Sequence, residues 1–533
     1  MCCFIKKIHL NHCFALVILG ICCSVAISAQ DNNFPPYVTN VSVDSTNLPI
    51  VFINVNGDTI HKNDKITAWM KIIHNGNGQW NYADTVAHPN QTVDYDGYIS
   101  INYRGNTSYT LAPKKSYTIR TLEQPLEEGG KKLKVKLLGM GKDNNWALLA
   151  NYSDRSMIRN IVSYELARPF VEFSPTGKYC EVFVDGIYYG LFTLMEKVTK
   201  GKQRLNLTEP EDEGDGLSGD YLLEIDRPNE IGITSKYYPL DSNGNEMTTA
   251  QKNIYQFDEP DNDEISNAQK SFIKNRVWLM EQTLVESDPE SISLGENGFI
   301  DTQSFVDYTL LNEFANNVDA YRFSVKFYKR RDSVDPRFKL AVWDMDLTFG
   351  CASHDQGYKT DVLVHKNHNH SWIGLPRWVD ALTGASDFNE ILRNRWQEYR
   401  QSIFTEEHVY ALIDSLASRL TLGGAIERNA TAWKMFGKHI WPNYFDAKNY
   451  EQEVNYIKQW IHARFLFMDN WLLPKIQGDV NGDRKVNVSD ISVLINMILG
   501  ITEKDDSRGD VNADGNVNVS DISALVNIIL NIV

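Results

Sequence analysis

Over residues 48–120 apolar and polar positions alternate, and the alternation breaks at short runs of turn-forming residues. A period of two marks strands with one buried face. It predicts strands over 50–55, 66–73, 98–103 and 116–121, with a turn at Asn56-Gly57-Asp58. A helix ending at Ala167 follows, which Ser153 or Asp154 is placed to cap. Next comes a hairpin of strands 180–184 and 188–195 around Asp185-Gly186, then a strand over 219–227. Residues 228–262 are polar and irregular and read as a loop or insertion. Helical spacing takes over at 265–285 and again at Phe305, Tyr308, Leu311 and Phe314. Two strand-like runs, 323–328 and 338–343, interrupt it. Helices are predicted over 388–403, 406–420, 425–436 and 450–472, with Trp396, Trp433, Trp460 and Trp471 at core spacing, a sugar-stacking platform being the alternative. The fold class is α+β, with a β-rich N-terminal part and a helical C-terminal part.

The N-terminus stands apart from this pattern. Lys6 and Lys7 precede an apolar run, 14–25, and the small residues Ala26-Ile27-Ser28-Ala29. That is the form of a secretory signal peptide over 1–29. The run is short for a membrane anchor, so the mature chain is expected outside the cell or at its surface, with no transmembrane span. A lipoprotein reading of Cys22 is disfavoured by Ile21, where a small residue is wanted. The 533-residue chain has seven cysteines, and beyond the signal only Cys180 and Cys351 remain, either as a pair or as two buried apolar side chains. Residues 30–47 read as an exposed lead-in. A formal charge of −16 argues against a nucleic-acid partner.

Part of that acid lies in a tandem repeat. Residues 479–490 read DVNGDRKVNVSD and residues 510–521 read DVNADGNVNVSD. Each block spaces oxygen ligands as a Ca²⁺ loop requires. The first set is Asp479, Asn481, Asp483, the carbonyl of Lys485, Asn487 and Asp490. The second is Asp510, Asn512, Asp514, the carbonyl of Asn516, Asn518 and Asp521. Gly515 suits the sharp turn at the sixth position, whereas Arg484 predicts strain in the first loop. An amphipathic stripe follows each loop, Ile491, Leu494, Ile495 and Ile498 in one, Ile522, Leu525, Val526 and Ile529 in the other. This loop-helix repeat over 479–533 resembles the type I dockerin module. The resemblance implies a small all-α unit, two Ca²⁺ ions and docking onto a cohesin-type partner. The matching Val488-Ser489 and Val519-Ser520 imply two equivalent docking orientations.

The other concentration of chemistry is at 310–350. Asp319 follows a helix, and Asp344 and Asp346 end a strand. Acids so placed suit Mg²⁺ and phosphate chemistry. The spacing equally suits acids that cap turns and pair with Arg322, Lys326, Lys329 and Arg330. Lys114-Lys115 suits either an anionic ligand or a solvated strand edge, and Gly139-x-Gly141-Lys142 lacks the full P-loop spacing. His365, His368 and His370, with His354, fall in a polar stretch that suits either a transition metal or a solvent loop.

An ordered series of motifs joins these pieces. It comprises Arg104-Gly105-Asn106-Thr107-Ser108 with Pro113-Lys114-Lys115, Asn145-Trp146-Ala147 with Asp154-Arg155-Ser156-Met157-Ile158-Arg159-Asn160, Val184-Asp185-Gly186 with Glu196, and Trp343-Asp344-Met345-Asp346-Leu347-Thr348-Phe349-Gly350. Over 48–472 the chain resembles the spore-coat protein H (CotH) kinase family. The resemblance implies an atypical protein-kinase-like fold using ATP with Mg²⁺ or Mn²⁺. By motif, Asp319 would be the catalytic acid that orients or deprotonates an acceptor hydroxyl, and Asp344 and Asp346 would sit at the metal and nucleotide. Two positions depart from the pattern. Lys326 stands where active members tend to have Asn, and Glu224 stands where the ATP-binding lysine aligns. An acid there repels phosphate, and Lys197 or Lys200 is the nearest substitute. The implied functions are an exported kinase acting on Ser/Thr of secreted proteins, or an inactive kinase-like component of an extracellular polysaccharide-degrading assembly. A linker is expected at 473–478.

Overall fold

The computed structural model describes residues 35–227, 231–287, 298–368 and 373–532. The expected signal segment and His370 lie outside them. The alternating region closes into a seven-stranded barrel. Its strands are β1 (Ile50–Asn54), β2 (Ile66–Ile73), β3 (Val93–Arg104), β4 (Ser116–Thr121), β5 (Asn145–Leu149), β6 (Gly177–Val184) and β7 (Ile187–Glu196). They follow one another round the barrel as β1-β2-β3-β4-β5-β7-β6. Every pairing is antiparallel except β1 on β6, which closes the ring. Inward positions such as Ile53, Met70, Ile99, Ile119, Trp146 and Phe192 fill the interior as one cluster.

A second sheet has five antiparallel strands in the order β9-β10-β8-β11-β12. They are β8 (Tyr221–Ile225), β9 (Ile233–Thr234), β10 (Ile254–Glu259), β11 (Val325–Lys329) and β12 (Phe338–Ala341). The stretch read as irregular, 228–262, therefore contributes two strands. Tyr255 on β10 is fully buried against the helices, and this tertiary burial supplies what the polar local pattern does not. The helical part comprises α1 (Arg159–Ala167), α2 (Asn267–Glu286), α3 (Thr302–Ala315), α4 (Arg377–Gly384), α5 (Ser386–Tyr399), α6 (Glu406–Leu422), α7 (Ala425–Trp433), which packs on β7 of the barrel, and α8 (Tyr450–Leu472). Leu223, Phe327, Leu311, Phe314, Trp396 and Phe465 belong to a single core shared by sheet and helices. Trp396 and Trp460 are buried in this core, as their spacing predicts, Trp433 is buried in the barrel cluster, and Trp471 packs partly buried on the shared core.

Lys114 and Lys115 are a correction. A closed barrel has no edge strand, and both side chains are buried. The Lys114 amine donates to the carbonyls of Ala150 and Leu191 and to Asn429 Oδ1, tying the barrel to α7. Cys180 and Cys351 are separate, buried thiols.

Helix α1 joins the barrel to the helical part through charge. Arg159 Nη1 lies 2.6 Å from Asp154 Oδ1 and 2.9 Å from Glu453 Oε1 on α8, and all three side chains are about 1% exposed. The residue at the N-cap of α1 is Ile158, not Ser153 or Asp154, and it offers no side-chain cap; Asp154, four residues earlier, accepts from the Arg159 backbone N–H instead. Breaking such a network leaves charges buried without partners. Arg159→Met is expected to destabilise the chain by about 3–5 kcal/mol in a urea titration, since two carboxylates are stranded at once; a loss below about 1 kcal/mol would show that the network carries little.

The last segment contains α9 (Val488–Ile498) and α10 (Val519–Ile529) around a small core of Val480, Leu494, Val511 and Leu525. Each helix begins with a capping box, Asn487 with Asp490 and Asn518 with Asp521.

Candidate functional site

A cleft of 1030 Å³ opens between the barrel, the five-stranded sheet and the loop after β12, and Asp319, Asp344 and Asp346 all line it. Each is placed by a local device. Helix α3 ends at Asn316, which takes a left-handed conformation (φ 44°) and turns the chain toward Asp319. Asn316 Nδ2 fixes that turn by donating to the carbonyls of Gln356, Gly357 and Lys359. The 343–350 loop is gripped by α1. Tyr164 Oη accepts from the Asp344 N–H at 3.1 Å, Asn160 Oδ1 accepts from the Met345 N–H at 2.8 Å, and Arg159 Nε donates to the Thr348 carbonyl at 2.9 Å. Asp344 itself has φ 58°, and its carboxylate accepts from Ser324 Oγ at 3.0 Å. A non-glycine residue held there stores about 1–3 kcal/mol of strain. Met345 plugs into the core between the two acids.

The acids feel one another. Burial, and then the Asp344 carboxylate, push Asp319 up to about 6. Burial, with Asp344 and Asp319 nearby, pushes Asp346 well above the usual carboxylate range. Crowded carboxylates of this kind are relieved by a cation. Among the described residues no three His, Cys, Asp or Glu side chains close into a ready metal cluster, so the acids line the cleft without forming a cage. Three of the cations that spacing offers as partners for these acids bond other groups. Arg322 donates to the Asn367 carbonyl, Lys329 to Asp332, and Arg330 to Glu172.

Cations line the same cleft. Arg104, at the end of β3, lies over the Trp343 ring at 5.5 Å and has a buried, unbonded Nη1. Burial pushes Lys197, just past β7, down to about 8. Lys200 pairs with Glu209 and Glu259 instead of entering the cleft. On the sheet, Glu224 of β8 stands directly opposite Lys326 of β11. Lys326 Nζ is 2.8 Å from Glu224 Oε2 and 2.6 Å from Asp258 Oδ2. Sequence reasoning missed Asp258, hidden in the stretch read as a loop. It also missed Asn160 and Tyr164, although their four-residue spacing on a predicted helix was a usable signal.

Among the described residues, the histidines do not share a point. His354 lines the cleft, bonds Asp355 and stacks on Trp441. His365 is buried on Glu313, and His368 bonds the Leu240 carbonyl.

In the tail the two loops have a common plan. Asp490 receives the Asn481 and Asn487 N–H groups, and Asp521 those of Asn512 and Asn518. Asn481 and Asp483 accept from the Asp483 and Lys485 N–H groups, and Asn512 and Asp514 accept from those of Asp514 and Asn516. Asp479 differs from Asp510. Its Oδ1 is buried with no partner, as suits a cation ligand, while its Oδ2 meets Arg508 at 3.2 Å. Asp510 is bonded to the Asp514 and Gly515 N–H groups. Arg484 adopts φ 62°, the strained conformation its position predicts, and its guanidinium donates to the Asp469 and Pro474 carbonyls at the end of α8.

Two family models match the chain in just these regions. One, described as CotH kinase protein, covers residues 101–468; the other, Dockerin type I domain, covers residues 477–530. The chain belongs to the CotH kinase protein family and carries a C-terminal type I dockerin. No curated protein matches it. Type I dockerins bind calcium and imply a cohesin partner. No described helix is long and apolar enough to cross a membrane.

An acid raised to about 6 keeps its proton in the folded chain over a pH range where the unfolded chain has already released it. Asp319 therefore subtracts stability as pH rises from roughly 4, the unfolded carboxylate range, through about 6. In an NMR titration its carboxyl should show a midpoint near 6, falling toward the ordinary range in Asp344→Asn. An Asp319 midpoint near 4 in the unaltered protein would contradict this electrostatic picture.

Proposed function

We propose that the chain is a secreted CotH-type kinase, transferring phosphate from ATP to Ser or Thr of secreted proteins, and that its dockerin fixes it to a cohesin-bearing partner. The observation that carries this reading is the convergence of Asp319, Asp344 and Asp346 on one cleft of 1030 Å³. Their mutual repulsion supports a cation among them. Asp344 and Asp346 would hold Mg²⁺ or Mn²⁺, which when bound neutralises phosphate charge. Asp319 would accept the proton of the acceptor hydroxyl as its oxygen bonds to phosphorus and the bond to the ADP oxygen breaks. Raised to about 6, Asp319 is ionised and ready as a base at neutral pH. The kinase-like domain is taken as 48–472, joined by 473–478 to an all-α dockerin at 479–533, after a signal peptide over 1–29.

A second reading, a catalytically silent kinase-like component of an extracellular polysaccharide-degrading assembly, is favoured by Glu224, an acid where the resemblance calls for a lysine. Incubation with radiolabelled ATP and Mg²⁺ or Mn²⁺ separates the two. The kinase reading expects incorporation into the chain or a generic acceptor protein, reduced at least about 100-fold in Asp319→Ala. Label that never appears, or that persists unchanged in Asp319→Ala, rules it out.

For the tail, Ca²⁺ is expected to be held by the two loops from Asp479 to Asp490 and from Asp510 to Asp521. Adding Ca²⁺ to chelator-treated protein should increase helical circular dichroism as α9 and α10 consolidate. Identical spectra in chelator and in Ca²⁺ would remove the calcium assignment.

A further inference from the structure

Lys326 is the least expected charge in the cleft, and three strands converge on it. On β8, Leu223 and Ile225 face the helical core while Glu224 between them faces the cleft; on β11, Val325 and Phe327 face the core while Lys326 faces the cleft. The β8–β11 register sets Glu224 and Lys326 side by side, and β10 adds Asp258 from the other flank of β8. A slip of one residue in this register would turn the apolar set outward, so core packing fixes the charge triad. The lysine is 7% exposed. A nearly buried ammonium is expensive without partners, and the two partly exposed carboxylates beside it supply them. Burial lowers the pKa of such an amine, yet Asp258 and Glu224 together hold it above the ordinary lysine range, so it stays charged.

Phosphoryl-transfer sites of the kinase type use one strand lysine, oriented by a carboxylate, to grip the phosphates. We propose that Lys326 is that cation here, oriented by Glu224 and Asp258, so that lysine and its neighbour have exchanged places across two paired strands. This rests on the nucleotide reading given above and names its phosphate contact. Three other cations of the cleft fit less well. Burial brings Lys197 down to about 8, which leaves it a less secure charge near neutrality. Lys114 is spent on carbonyls and Asn429. Arg104 is stacked on Trp343, where it can flank a phosphate without a carboxylate bonded to orient it.

The test is calorimetric binding of a non-hydrolysable ATP analogue with Mg²⁺ to the full chain. Four proteins are compared: unaltered, Lys326→Met, Lys197→Met, and the exchange Glu224→Lys with Lys326→Glu. Lys326→Met should weaken binding about 10- to 100-fold, the range of a charge-assisted contact. The exchange keeps the net charge and the cross-strand pair, and should recover most of the lost affinity. Lys197→Met should change binding less than about threefold. If the unaltered chain binds and Lys326→Met binds equally, this inference falls while the nucleotide reading stands. If Lys326→Met loses binding and the exchange restores none, the loss reflects damage to the sheet and the inference also falls. If the unaltered chain binds no nucleotide, the nucleotide reading itself fails and takes the inference with it.

Discussion

The structure depends on a buried arginine. Arg159 sits between Asp154 and Glu453, and through them it binds the entry to α1 to the long helix α8. The same side chain donates to the Thr348 carbonyl, and its helix neighbours Asn160 and Tyr164 hold the N–H groups of Met345 and Asp344. One helix thus fixes both the junction of barrel and helices and the loop that presents two cleft acids. Ionic burial of this kind is poor value for stability alone and better suited to specifying one arrangement. Here the arrangement includes a residue, Asp344, in a strained backbone conformation that packing alone would not select.

The cleft is a meeting of two polarities. Asp319, Asp344 and Asp346 line it together with Arg104, Lys197 and Lys326, the last paired with Glu224 and Asp258. A ligand that satisfies both must present negative charge to the basic groups and admit a cation among the acids. A metal-bound polyphosphate has that composition. The dockerin adds a second constraint. Its repeats are alike in sequence but unlike in setting: Gly482 in the first loop is buried against Asn470 of α8, while Ala513 at the matching place is exposed. Arg484 accepts a strained backbone and bonds the end of the same helix. Two-fold symmetry in the repeat therefore does not extend to its surroundings.

Much of this was legible beforehand, for physical reasons that differ by element. The strands 66–73 and 116–121 and the helix 450–472 were readable because one face of each is buried along its whole length, which imprints a clean period. Strand β10 was not, since its register with β8 is set by non-local pairing and its outward residues are polar. Lys114 and Lys115 misled because whether a strand is an edge depends on barrel closure, which no local window contains. The cleft acids were found through motif order, and their crowding was not. The Glu224–Lys326 pair looked like two separate departures in the sequence. Only the sheet register makes them one feature.

The most direct measurement is a crystal structure of the chain with a non-hydrolysable ATP analogue and Mn²⁺, whose anomalous signal locates the metal. The account predicts the metal against Asp344 and Asp346, the terminal phosphate facing Asp319, and Lys326 within hydrogen-bond distance of a phosphate oxygen. Nucleotide density elsewhere on the chain, or a cleft that stays free of nucleotide at saturating concentration, would contradict it.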